Sequence, residues 1–179
     1  MGDWPEAITF NRYGGGVLST ATELGGSFFV TPTASTAWPL ANLAIFCPIR
    51  APLPVTIYKL TIGAGATATG NFDVGVYDSA GNRLVSSGST PKSANVEQII
   101  DVTDTRIGPG LYYLALSADG TINFGMRAAA GTTPVPSQKI RLLGIMEMTS
   151  AFPLPAVATY AASTNAIVVA HISAHLRSN

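Results

Sequence analysis

The side chains able to do chemistry in this sequence are few and scattered. Two histidines, His171 and His175, stand four apart in His-Ile-Ser-Ala-His. On a helix that spacing would align two metal ligands, but the zinc-protease pattern also needs a glutamate beside the first histidine, where Ile172 stands. On a strand both imidazoles project from one face about 13 Å apart, too far to share a metal within one subunit. Their remaining role is in a cluster about a symmetry axis, where several copies meet. The acids show neither the paired carboxylates of a glycosidase nor the acid density of a calcium loop. Asp78, Asp101, Asp104 and Asp119 are read as turn caps that accept from nearby backbone N–H groups. No Gly-x-Ser-x-Gly elbow, phosphate loop or cysteine–base pair occurs. The sequence therefore predicts no enzyme, no metal site and no cofactor.

Aromatic residues are the better candidates for recognition. Trp4-Pro5 and Trp38-Pro39 read as anchors whose indoles fill a pocket on a neighbouring subunit, with Phe28 and Phe29 beside them in the same N-terminal stretch. Tyr77 and Tyr113 are the candidates for stacking a sugar, although cross-strand aromatic packing accounts for them equally well.

These residues are held by a chain that reads as strand after strand. Val55–Ile62 alternates, with Val55, Ile57, Lys59 and Thr61 on one face and Tyr58, Leu60 and Ile62 on the core-facing one. In Asn71–Asp78, Phe72, Val74 and Val76 point inward while Asp73, Gly75 and Tyr77 point out. Asp78-Ser79-Ala80-Gly81-Asn82 supplies the turn of a hairpin returning through Arg83–Ser86. A second unit runs from Val96 to Val102, turns at Gly108-Pro109-Gly110 and returns through Leu111–Ser117. Further strands fall at 122–127, 140–148 and 166–176. Residues 152–162 read as loop, with a short Ala-rich helical turn at 156–162 as the alternative. Short strands about ten residues apart, without a long amphipathic helix, predict an all-β, antiparallel two-sheet β-sandwich, jelly-roll-like. Residues 1–42, rich in Gly, Ser, Thr and Ala, read as an extended N-terminal assembly arm with one or two short strands, and 43–179 as the sandwich domain.

Composition bears on partners. Charged residues make up 11% of the chain, where an ordinary soluble domain has about 25%. A monomer of this mass exposes roughly 8,000 Å², so its charges stand about one per 400 Å². Such a surface suits a protein that lives against neighbours. Ten acids balance ten bases without a run of either sign, which argues against nucleic acid. No apolar stretch is long enough to span a membrane as a helix. Cys47 is the single cysteine, so no internal disulfide forms, and its apolar setting marks it as a small core residue.

The stretch Phe72-Asp73-Val74-Gly75-Val76-Tyr77-Asp78, the Gly81-Asn82 turn, Asp101-Val102-Thr103-Asp104 and Pro109-Gly110-Leu111-Tyr112-Tyr113-Leu114 resembles β-sandwich domains of bacteriophage virion proteins. These include capsid decoration or cement proteins, tail accessory proteins and receptor-binding tips. The resemblance covers about a quarter of the chain and carries over no functional residue. It implies a non-enzymatic structural protein of the virion, assembled in the host cytoplasm. Such a protein forms a homo-oligomer, trimer or dimer, and binds capsid or tail proteins. The alternative is a carbohydrate- or receptor-binding module of a phage tail or cell surface, with a glycan as its ligand.

Overall fold

The computed structural model describes residues 15–19, 35–65, 67–94, 97–128, 144–162 and 168–178. No helix occurs among them. The strands are β1 (Gly15–Ser19), β2 (Ser35–Ala37), β3 (Ala44–Ala51), β4 (Val55–Gly63), β5 (Asn71–Asp78), β6 (Arg83–Ser86) and β7 (Thr90–Pro91). They continue with β8 (Glu97–Ile107), β9 (Gly110–Ala118), β10 (Asn123–Ala128), β11 (Met146–Met148), β12 (Ala161–Ala162), β13 (Val168–Ala170) and β14 (Ile172–Ser178). Every pairing is antiparallel, so the all-β expectation holds for the described residues.

One sheet runs β1-β14-β4-β8 and a larger one β12-β11-β3-β9-β5-β6, with β7 also on β5; β13-β10-β2 form a small third sheet. One apolar core is shared by the first two. Ile45, Cys47 and Ile49 of β3, Val74 and Val76 of β5, and Leu114 and Leu116 of β9 meet Val55, Ile57, Leu60 and Ile62 of β4 and Ile172, Ala174 and Leu176 of β14. Cys47 is a free, buried thiol within it, and burial alone pushes its pKa up to about 12. Trp38, Phe72 and Phe124 close one end through edge-to-face ring contacts.

The expected alternation of β4 fails halfway. Ile57 and Lys59 face the consecutive residues Leu176 and His175 of β14, which leaves Tyr58 as an extra residue. This β-bulge moves the inward face by one position, so Val55 and Ile57 are buried before it and Leu60 and Ile62 after it. A second difference lies in β5. Phe72, Val74 and Val76 enter the shared core as expected, but Asp73, Gly75 and Tyr77 are buried too. Residues 151–162 pack over that outer face, where Ala151, Leu154 and Ala158 join Ala44, Phe46, Tyr77, Tyr113 and Ala115 in a second apolar cluster. The close approach requires glycine at position 75, since a Cβ there would lie 2.8 Å from the Val85 carbonyl oxygen and 3.1 Å from Leu154.

The β5–β6 hairpin forms as read, with Gly81 at φ +91°. The unit joined by Gly108-Pro109-Gly110 is not a hairpin. Strand β8 pairs with β4 whereas β9 pairs with β3 and β5, so this turn carries the chain from one sheet to the other. Residues 156–162 form no helical turn; Val157 bridges Asn82, and β12 pairs with β11.

Within the expected arm, β1 pairs with β14 and β2 with β10, so both strands belong to this chain's own sheets.

Candidate functional site

The structure separates the residues singled out in the sequence. Tyr77 is fully buried and donates its hydroxyl to the Pro155 carbonyl at 2.5 Å. Tyr113 is buried beside it, its ring 4.8 Å from that of Tyr160. Stacking a sugar needs an open ring face, so neither residue can act as a stacking platform in this fold. Both serve the second cluster, where Phe46 meets Tyr77 and Tyr160 edge-on. Trp38 is 1% exposed and donates from Nε1 to the Leu43 carbonyl at 2.9 Å. Its indole therefore fills this chain's own core and not a neighbour's pocket. Trp4, Phe28 and Phe29 lie outside the described residues.

Asp78 caps its turn as expected, accepting from the backbone N–H of Ala80 and Asn82 and from the Asn82 amide, which holds its carboxyl below the usual range. Asp119 accepts from the backbone and side chain of Asn71. Asp101 and Asp104 differ from the expectation: they pair with Lys59 and Arg177 instead of capping turns.

Those two ion pairs lie on the outer face of the four-stranded sheet, with further polar and aromatic groups around them. Because Tyr58 bulges out of β4, its ring projects there with Lys59 Nζ 5.8 Å and the Arg177 guanidinium 5.0 Å from its centre. His175 meets the same ring edge-on and shares a 2.6 Å hydrogen bond with Thr61 Oγ1. Burial holds the His175 pKa below its ordinary value; nearby Lys59 lowers it further, and Glu97 pulls the other way. A hydroxyl on an imidazole is the start of a nucleophile–base pair. Thr61 is buried, however, so this oxygen is walled off from a substrate. The arrangement suits recognition by a charged, partly aromatic face. It was hidden in the sequence because strict alternation turned Tyr58 inward.

Two buried charges also escaped the sequence reading. Asp73 accepts from the Leu154 N–H at 2.9 Å and from the Ser87 hydroxyl at 3.2 Å, tying the covering segment to β5. Burial pushes its carboxyl above the ordinary 3.8, against the lowering effect of those bonds and of Arg83. Lys92 is almost fully buried; its Nζ donates to the carbonyls of Thr67, Ser93 (3.2 Å) and Gly65 (3.5 Å) and lies 5.8 Å from the centre of the Phe124 ring. Burial lowers its pKa. Nothing in their local sequence marks either as buried. No group of three or more potential metal ligands occurs among the described residues, and no described helix is long and apolar enough to cross a membrane.

The chain matches no protein-family model, no curated protein sequence and no solved structure.

Proposed function

We propose that the chain is a jelly-roll β-sandwich subunit of a virion, a non-enzymatic structural protein that oligomerises and binds capsid or tail subunits. The observation that carries this reading is the nesting of the strand pairs. Leaving aside β7, β11 and β12 and the small third sheet of β2, β10 and β13, eight strands remain, and they pair first with last (β1 with β14), second with seventh (β3 with β9), third with sixth (β4 with β8) and fourth with fifth (β5 with β6). This is one long antiparallel ribbon. It is rolled so that β14 also meets β4 and β9 also meets β5, giving four-strand orders 1-8-3-6 and 2-7-4-5. That order supports the jelly-roll reading, an architecture used by many viral capsid and lectin domains. The sparse charge supports contact with neighbours over a solitary existence.

Mass spectrometry of particles purified from the source culture tests the reading. A stoichiometric copy number in the particle is expected, and particles lacking the chain would overturn it. Light scattering on the purified protein should give a trimer or dimer; a monodisperse monomer at high concentration contradicts the assembly part. The carbohydrate-binding alternative must find other residues than Tyr77 and Tyr113, both of which are buried.

A further inference from the structure

The eight nested strands put their connections at opposite ends of the molecule. At one end lie the short turns β3–β4 (52–54), β5–β6 (79–82) and β8–β9 (108–109). Three of the five exposed large apolar residues among the described ones gather there. Leu53 (53% exposed) lies in the first turn, Leu111 (40%) just past the third, and Val157 (60%) is bridged to Asn82 beside the second. The turns are stiffened by Pro52, Pro54 and Pro109, each of which fixes its own φ. The cations Arg50 and Arg106 flank this tip, one residue before the ends of β3 and β8, and both are exposed.

A complementary surface lies on the same chain. In the first half of β8, Glu97, Ile99 and Asp101 project from one exposed face, so Ile99 (55% exposed) sits between two carboxylates, of which Asp101 is paired with Lys59. This strand is an edge among the described residues, since it pairs with β4 alone. The separation from Ile99 to the tip at Ile107 is about 26 Å along the strand. The apolar tip and the apolar patch are therefore distinct surfaces: Arg50, Arg83 and Arg106 against Asp78 leave the tip net basic, and Glu97 and Asp101 against Lys59 leave the patch net acidic.

Resting on the assembly reading, we propose that the tip of one copy docks onto the Ile99 patch of a second copy. Two basic tips repel one another, as do two acidic patches, so like surfaces do not pair and the contact is head-to-side. Such a contact uses different surfaces on its two partners, and it can be made twice about a two-fold axis or repeated around a closed ring.

Charge reversal followed by light scattering tests this. The tip variant carries Arg50→Glu and Arg106→Glu; the patch variant carries Glu97→Arg and Asp101→Arg. Each pair alone should drop the mass to that of a monomer, and the fourfold substitution, with both rims reversed, should restore the oligomer. Circular dichroism establishes that each variant is folded. An oligomer unchanged by either pair overturns the docking proposal and leaves the assembly reading standing. So does a folded fourfold variant that stays monomeric where the wild type assembles. A wild type that is itself monomeric overturns both.

Discussion

Replacing Asp73 by asparagine and by alanine separates the two things this buried carboxylate does. Its oxygens accept from the Leu154 N–H and the Ser87 hydroxyl, while its charge is held in an apolar setting that raises its pKa above 3.8. Alanine removes the acceptor and leaves the buried Leu154 N–H without one, a loss of about 1–3 kcal/mol, or roughly 2–4 °C of Tm per kcal/mol at this size. Asparagine keeps an oxygen for Leu154. Its amide can donate to Ser87 Oγ, which also accepts from the Val74 N–H at 3.1 Å, and the one Ser87 hydroxyl proton can then go to the Gly88 carbonyl at 3.0 Å. The expected cost of Asp73→Asn at neutral pH is below about 1 kcal/mol, because the charge being removed is one that burial disfavours. The sign with pH follows from the raised pKa. The titration of Asp73 contributes stability that is fully present below 3.8 and is lost as pH rises through the folded-state pKa. Urea unfolding of wild type, Asp73→Asn and Asp73→Ala between pH 3 and pH 7 measures this. The wild type should be strongest relative to Asp73→Asn at the acid end. A wild-type advantage that instead grows with pH, or an asparagine variant as weak as the alanine one at pH 7, would refute the reasoning.

His175 behaves in the opposite sense: its lowered pKa means that its contribution is present above 6.5 and is lost as pH falls below that value. His175→Gln, which keeps a partner for Thr61 but cannot ionise, should therefore gain on the wild type between pH 7.5 and pH 5 in urea titrations. Gly81→Ala should destabilise by about 1–3 kcal/mol, because residue 81 has φ +91° and a Cβ would lie 2.6 Å from the Ala158 carbonyl oxygen; thermal unfolding reads this directly. Leu154→Ala should cost about 2–5 kcal/mol through the cavity left over β5, again by urea unfolding. Cys47, buried with its pKa near 12, should resist a thiol reagent at neutral pH and react only in denaturant; rapid labelling of the native protein would contradict its place in the core.

Alternation and turn chemistry carried the reading of secondary structure a long way. Phe72, Val74 and Val76 could be turned inward from their spacing, and Gly81 assigned to its turn, because both signals are local. What failed was non-local. Nothing in Val55–Ile62 announces a bulge at Tyr58, since the extra residue is defined only against β14. Gly108-Pro109-Gly110 specifies a tight reversal but not whether the strands on either side stay in one sheet. Tyr77 looked exposed because the residues that cover its face, Leu154 and Ala158, come about eighty positions later, in a stretch whose prolines and alanines read as loop. The aromatic candidates failed for the same reason. A tyrosine on an outward position is a sugar platform or a core residue according to what another part of the chain lays over it.

The pairing of first strand with last bears on how the protein is made. Strand β14 lies between β1 and β4, so the last of the described strands is an interior member of its sheet. As the chain leaves the ribosome, β5 and β6 can pair at once across their four-residue turn. Strands β4 and β3 must wait for β8 and β9, and β1 has no described partner until Ile172–Ser178 has been synthesised. Until then one edge of β4 stands open along Leu60 and Ile62, beside a β1 with nowhere to lie. Closing loops this long is slow, and open apolar edges aggregate. Removing the last seven described residues would therefore do more than trim a terminus: it would leave the growing sheet without its middle strand, and aggregates are the expected product.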